Sequence, residues 1–232
     1  SIMSNTKTVM GQASNQYVAP TDITEVFSTY LNTGNGSTAT ITNGIDLAGE
    51  GGIVWHKSRS DTGDHNLFYQ NGSSIDLVKP NKTDSASLNM GAYGNAFNSD
   101  GFSMGGLFNL NAVDFASWTF RKAPKFFDVG TISFDGSGVG SYSHNLGVTP
   151  AVVIFKLTNT TGDWFVWHKD LTSQNYAMFL NATAASSNQG GWATYTDTAV
   201  SFDSSLFAND TAVVYLFAHN DGDGEFGPDG DQ

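Results

Sequence analysis

The chain contains no cysteine. Disulfide staples, thiolate zinc sites and thiol nucleophiles are therefore excluded, and the fold must stand on burial and backbone hydrogen bonds. Charge is scarce as well. Asp, Glu, Lys and Arg make up 14% of the 232 residues, against roughly 25% in an average globular domain. Basic residues are the scarcest: 10 Lys and Arg stand against 22 Asp and Glu, for a net charge of −12. A protein that tracks nucleic-acid phosphates needs a basic face, and so does one that holds to anionic lipid. Neither nucleic acid nor membrane is expected as a partner. No run reaches the ~18 apolar residues of a membrane-spanning helix. Residues 1–20 are polar and lack the apolar stretch of a secretory signal. Glutamate is confined to Glu25, Glu50 and Glu225, so no strand carries the close carboxylate pattern of a jelly-roll glycosidase.

What the chain does have is aromatic. Seventeen Phe, eight Tyr and five Trp contribute to a hydrophobic content of 39%, and each can bury a large area. Polarity comes from Asn, Ser, Thr and Gly, the composition of a surface that hydrogen-bonds to water with few ion pairs. Six Asn-x-Ser/Thr sequons, at Asn35, Asn71, Asn81, Asn159, Asn181 and Asn209, follow from that composition.

Three blocks recur in order at nearly constant spacing. Thr62-Gly63-Asp64 returns as Thr161-Gly162-Asp163, Phe102 returns as Phe202, and the block from Ala116 to Phe120 returns from Val213 to Phe217. A weaker match sets Asn43-Gly44-Ile45 against His144-Asn145-Leu146. A unit of roughly 100 residues is too long for a solenoid repeat and is the size of a small β-sandwich. The chain therefore divides into an arm (1–23), a first repeat (24–127), a second repeat (128–220) and an acidic tail (221–232). The junction around Pro124 is short and has no floppy Gly/Ser linker, which predicts rigidly packed halves or one continuous sandwich.

The local pattern is β throughout. Ala151-Val-Val-Ile-Phe-Lys-Leu157 and Thr211-Ala-Val-Val-Tyr-Leu-Phe-Ala218 are continuous apolar runs, as for strands buried on both faces. In the counterpart of the second run, Ala116, Trp118 and Phe120 alternate with Ser117, Thr119 and Arg121, which predicts one wet face. Further strands are expected at 52–56, 66–70, 164–168 and 176–180. Turn clusters such as Asn71-Gly72 and Asp135-Gly-Ser-Gly138 lie between them. The fold class is all-β: tandem duplicated, antiparallel β-sandwich or jelly-roll-like units.

Several strings carry a resemblance. They are Ala116-Ser-Trp-Thr-Phe-Arg-Lys-Ala-Pro-Lys-Phe-Phe-Asp128, Tyr142-Ser-His-Asn-Leu-Gly-Val-Thr-Pro150, Val152-Val-Ile-Phe-Lys156, Thr160-Thr-Gly-Asp-Trp-Phe-Val-Trp-His-Lys169 and Ala212-Val-Val-Tyr-Leu-Phe-Ala-His219. Together they resemble a β-rich domain family of structural and tail-fibre proteins of marine bacteriophages, best over residues 110–225. The resemblance implies a non-enzymatic virion component: a tail-fibre, appendage or capsid-decoration module. It would assemble as a homo-oligomer with other virion proteins and would bring no catalytic residues. A lectin-like carbohydrate-binding module and a jelly-roll polysaccharide hydrolase are the alternatives.

Few constellations point to chemistry. The five histidines share no close metal-ligand spacing. Trp55-His56-Lys57 and Trp167-His168-Lys169 look alike, but one precedes its Thr-Gly-Asp turn and the other follows it, so they fall on different strands. Gly136-Ser-Gly-Val-Gly140 lacks the Lys and helix of a phosphate loop and is read as a hairpin turn. Exposed aromatics can stack on the apolar faces of a host-surface glycan. Trp164, Trp192 and Tyr195, at or near turns, are the candidates. In the tail, Asp221, Asp223 and Glu225, and again Asp229 and Asp231, stand two residues apart among glycines, as in loops that converge carboxylates on calcium. Gln232 replaces the bidentate Glu expected at the twelfth position, and the plainer reading is a solvated acidic end.

Overall fold

The computed structural model describes residues 22–219. The first unit contributes β1 (Phe27–Thr33), β2 (Ala39–Thr42), β3 (Gly52–Ser58), β4 (Asn66–Asn71), β5 (Ser74–Val78), β6 (Ala96–Asn98), β7 (Gly101–Met104) and β8 (Asp114–Arg121). The second contributes β9 (Phe127–Ser133), β10 (Val139–Ser143), β11 (Val152–Leu157), β12 (Trp164–His168), β13 (Tyr176–Phe179), β14 (Ser187–Asn188), β15 (Ala193–Tyr195), β16 (Ala199–Asp203) and β17 (Thr211–Phe217). Helix is limited to short turns, among them α1 (Ile23–Val26) and α2 (Leu47–Glu50).

The two units share one topology. The first has a large sheet ordered β1-β8-β3-β4-β5 and a small one ordered β2-β7-β6. The second has β9-β17-β11-β12-β13, with β14 added at the edge, and β10-β16-β15. Every strand pair in both is antiparallel, and the registers agree. Phe27 faces Phe120 in the first unit, and Phe127 faces Phe217 in the second. Phe102 on β7 and Phe202 on β16 face Ile41 and Gly140 of equivalent strands. Both Thr-Gly-Asp turns lie between the third and fourth strands of their large sheets. The recurrence in the sequence thus marks equivalent places in two sandwiches.

Each sandwich has its own interior, and a third apolar layer lies between them. Val54, Phe68, Leu77 and Phe102 fill the first interior. Phe155, Trp167, Trp192, Phe202 and Val214 fill the second. The layer between is built from Ile53, Leu67, Tyr69 and Val78 of the first large sheet. Phe127, Val129, Trp164, Val213 and Tyr215 of the second large sheet complete it. The large sheets therefore pack back to back, and the molecule is a stack of four sheets around three apolar layers. This explains the continuous apolar runs of β11 and β17. Their even and odd residues face different cores, because strand side chains alternate between faces. Val153 and Phe155 point into the second interior, and Ile154 points to the layer between the units.

One expectation is reversed. Ser117 and Thr119 of β8 are buried, and Trp118, the apolar member of that alternation, is 36% exposed. The polar residues face the first sandwich interior, where a partner meets them: Asn43 Nδ2 donates to Thr119 Oγ1 at 2.9 Å. Trp118 lies on the inter-unit face, beyond the part that the second unit covers. Polarity marked a satisfied interior position here, not a solvated one.

Candidate functional site

The junction between the units opens into a cleft of about 360 Å³. Its floor is glycine. Gly49 and Gly51 come from the end of α2, Gly72 from the β4–β5 hairpin and Gly130 from β9. Asp46 caps α2, its Oδ1 accepting from Gly49 N at 2.8 Å. Gly51 closes the helix at φ 78°, a left-handed conformation that a side chain would strain. Gly130 is required by contact, since a Cβ there would enter the ring of Tyr142. Missing side chains thus create the space.

A charged triad forms one wall. Asp128 is buried, and its Oδ1 accepts from Val129 N at 2.7 Å and from Tyr142 Oη at 2.9 Å. Lys122 Nζ lies 3.0 Å from the same oxygen. Oδ2 accepts from Asn145 N at 2.9 Å. A buried carboxylate is tolerated when its lone pairs are met in this way. Lys122 Nζ also donates to Tyr142 Oη at 3.2 Å. The Tyr142 phenol is pushed well above its ordinary value, by burial first and then by the Asp128 charge. It stays a neutral donor. Gln70, Glu50 and Thr131 complete the polar rim.

A second feature lies on the uncovered part of the first large sheet. Thr29, Trp118 and Trp55 stand side by side across β1, β8 and β3. The indoles meet edge to face at 6.4 Å. Trp55 Nε1 donates to His65 Nδ1 at 3.1 Å, and burial holds the His65 pKa below its ordinary value, so Nδ1 is free to accept. Leu31, next along β1, is 62% exposed. Such a shelf suits stacking against an apolar face.

The residues expected from the sequence to bind glycan are not on this surface. Trp164 is 0% exposed, Trp192 3% and Tyr195 4%. Trp164 sits in the layer between the units with its Nε1 donating to Lys82 O at 3.0 Å. Trp192 and Tyr195 belong to the second sandwich interior. None offers a face to a sugar, and that expectation is corrected: they lie next to turns in the chain but point inward from them. The calcium candidates Asp221, Asp223, Glu225, Asp229 and Asp231 lie outside the described residues, as do residues 1–21 of the arm. Among the described residues, no group of three or more His, Asp or Glu gathers to hold a metal ion. No helix among them is long and apolar enough to cross a membrane.

Several of the remaining titratable groups inside the fold have structural partners, whereas the buried Tyr195 and Tyr215 hydroxyls have none among the described residues. His56 is buried, stacks on Phe115 at 4.5 Å and bonds Phe108 O through Nε2 at 2.9 Å. Burial lowers its pKa to about 4. His144 Nδ1 accepts from Leu146 N at 3.3 Å, the backbone role its turn position suggests. Lys156 is fully buried and donates to Leu157 O at 2.8 Å and Thr83 O at 3.3 Å, so it pins a loop of the first unit to the second. Burial lowers its pKa to about 8. By register it is the counterpart of Lys57, which donates to Ser58 O at 2.6 Å.

The cleft and the shelf lay outside sequence reasoning. The residues of the cleft come together only when the sheets stack, and those of the shelf only when β1, β8 and β3 pair. The one signal for the cleft was the glycine run from Gly49 to Gly52, interrupted by Glu50.

A family model described as a domain of unknown function (DUF7483) matches residues 22–228. No curated protein and no solved structure matches the chain.

Proposed function

The chain belongs to the DUF7483 family, and we propose that it acts as a non-enzymatic, surface-presenting module of a bacteriophage virion. It would serve as tail fibre, appendage or capsid decoration, through assembly and recognition. The observation that carries this reading is the back-to-back stack. Two copies of one sandwich bury a shared apolar layer, which makes a stiff block with two outward sheets and long Asn/Ser/Thr/Gly loops. Stiffness suits presentation, because a preorganised surface loses little entropy on binding. The groups that would otherwise suggest turnover are committed elsewhere: Asp128 holds four donors, and His56 is buried against Phe115. The resemblance of residues 110–225 to marine-phage structural proteins supplies the particle, and homo-oligomers there are symmetric as a rule.

The test is localisation. Electron microscopy of purified particles labelled with an antibody to this chain should show regular copies on the exterior. Absence from washed particles, with the chain recovered free in the lysate, would contradict the reading.

A lectin-like module, free or on a cell surface, is the second reading. The Trp55–Trp118 shelf favours it, since half-exposed indoles flanked by Thr29 and His65 suit sugar rings.

A further inference from the structure

We infer that the glycine-floored cleft between the two units binds a neutral saccharide. The inference deepens the reading of a recognition module and rests on it.

Size comes first. A cleft of about 360 Å³ falls within the range of small-molecule sites, roughly 300–1,000 Å³. The space is structural, because side chains are missing where they would fill it. A Cβ on Gly51 would stand 3.0 Å from Gln70 Oε1 and 3.3 Å from Lys122 Cδ.

Charge then selects the ligand. Lys122 is the cation at the cleft wall, and Asp128 cancels it at 3.0 Å. Glu50 adds an exposed negative charge at the rim, and the chain as a whole carries −12. A phosphate, sulfate or carboxylate would meet net repulsion. A cationic ligand would find Asp128 already saturated by four donors, and Glu50, the carboxylate left to pair with it, stands exposed at the rim, where such a pair is worth little. An apolar ligand would cover Gln70, Glu50, Thr131 and Lys122 without returning their hydrogen bonds, which is costly.

A polyhydroxylated neutral ligand meets none of these objections. Gln70 and Thr131 each both donate and accept, Glu50 accepts and Lys122 donates, which matches an array of hydroxyls. Tyr142 provides an aromatic ring, held in place by Gly130 beneath it and by bonds from its hydroxyl to Asp128 Oδ1 and Val129 O. A fixed ring can take the apolar face of a sugar without losing side-chain freedom.

The test is amide-shift NMR on the full chain, titrated to millimolar levels with neutral hexoses, N-acetylhexosamines and their short oligomers. Sialylated and sulfated sugars form a second arm. A neutral sugar is expected to shift amides of residues 49–52, 70–72 and 130–131. Thr131→Trp, which fills the cleft from an exposed position, and Gln70→Ala should each weaken binding at least tenfold with melting temperature unchanged. The anionic arm should leave those amides still. Three results would overturn the assignment: no shifts with any sugar, binding only by anionic sugars, or shifts confined to Trp55 and Trp118. The last leaves glycan recognition standing at a different site. The virion reading is judged separately, by particle localisation.

Discussion

At the scale of single residues, burial decides what each polar or aromatic group can do. His56 illustrates this through pH. Its folded pKa, about 4, lies below the ordinary 6.5 because burial opposes the charged ring. The unfolded chain therefore binds the proton more readily between those values, and stability falls as pH drops from 6.5 towards 4. The full effect is about 3 kcal/mol. Denaturant unfolding of wild type and His56→Gln at pH 7.5 and pH 4.5 should show the wild type losing more stability on acidification than the variant. Equal losses would show that His56 does not titrate as described. Trp164 gives the second prediction. Trp164→Ala removes a fully buried indole and its bond to Lys82 O, at a cost of roughly 3–5 kcal/mol. Urea titration should show that loss in midpoint, and a loss under 1 kcal/mol would mean the indole is not buried as described.

At the scale of elements, β8 separates what the sequence made legible from what it hid. The strand positions, the Phe102 and Phe202 landmarks and the equivalence of β8 with β17 were all readable, because apolar residues at fixed spacing report strands directly. Which face of β8 is wet was not, because an interior Thr paired with Asn43 looks like a surface Thr until the partner strand is placed. The same limit hid the cleft. Lys122, Asp128 and Tyr142 lie within 21 positions in the chain, but Gln70 and Gly51 join them only through sheet stacking. It also misplaced Trp164, Trp192 and Tyr195, since proximity to a turn says nothing about which way an indole points. A paired substitution tests the face assignment. Thr119→Val leaves Asn43 Nδ2 without its acceptor inside the fold and should cost about 1–3 kcal/mol. Trp118→Ser, on the more open face, should cost less. The reverse order in thermal unfolding would put the solvent on the other side of β8.

At the scale of the whole molecule, duplication supplies a surface that neither copy can leave exposed. Ile53, Tyr69 and Val78 of one large sheet and Val129, Trp164 and Tyr215 of the other are buried only because the sheets meet. Tyr69 and Tyr215 meet edge to face at 6.4 Å, and Phe120 packs on Phe127 and Phe217 across the junction. Lys156 adds a polar lock through Thr83 O. A rigid block follows, and with it the cleft, whose walls come from both units. Scanning calorimetry of the intact chain tests this most directly. One transition is expected, with a calorimetric enthalpy equal to the van't Hoff enthalpy, because neither sandwich survives exposure of the shared layer. Two resolved transitions, one per unit, would contradict it.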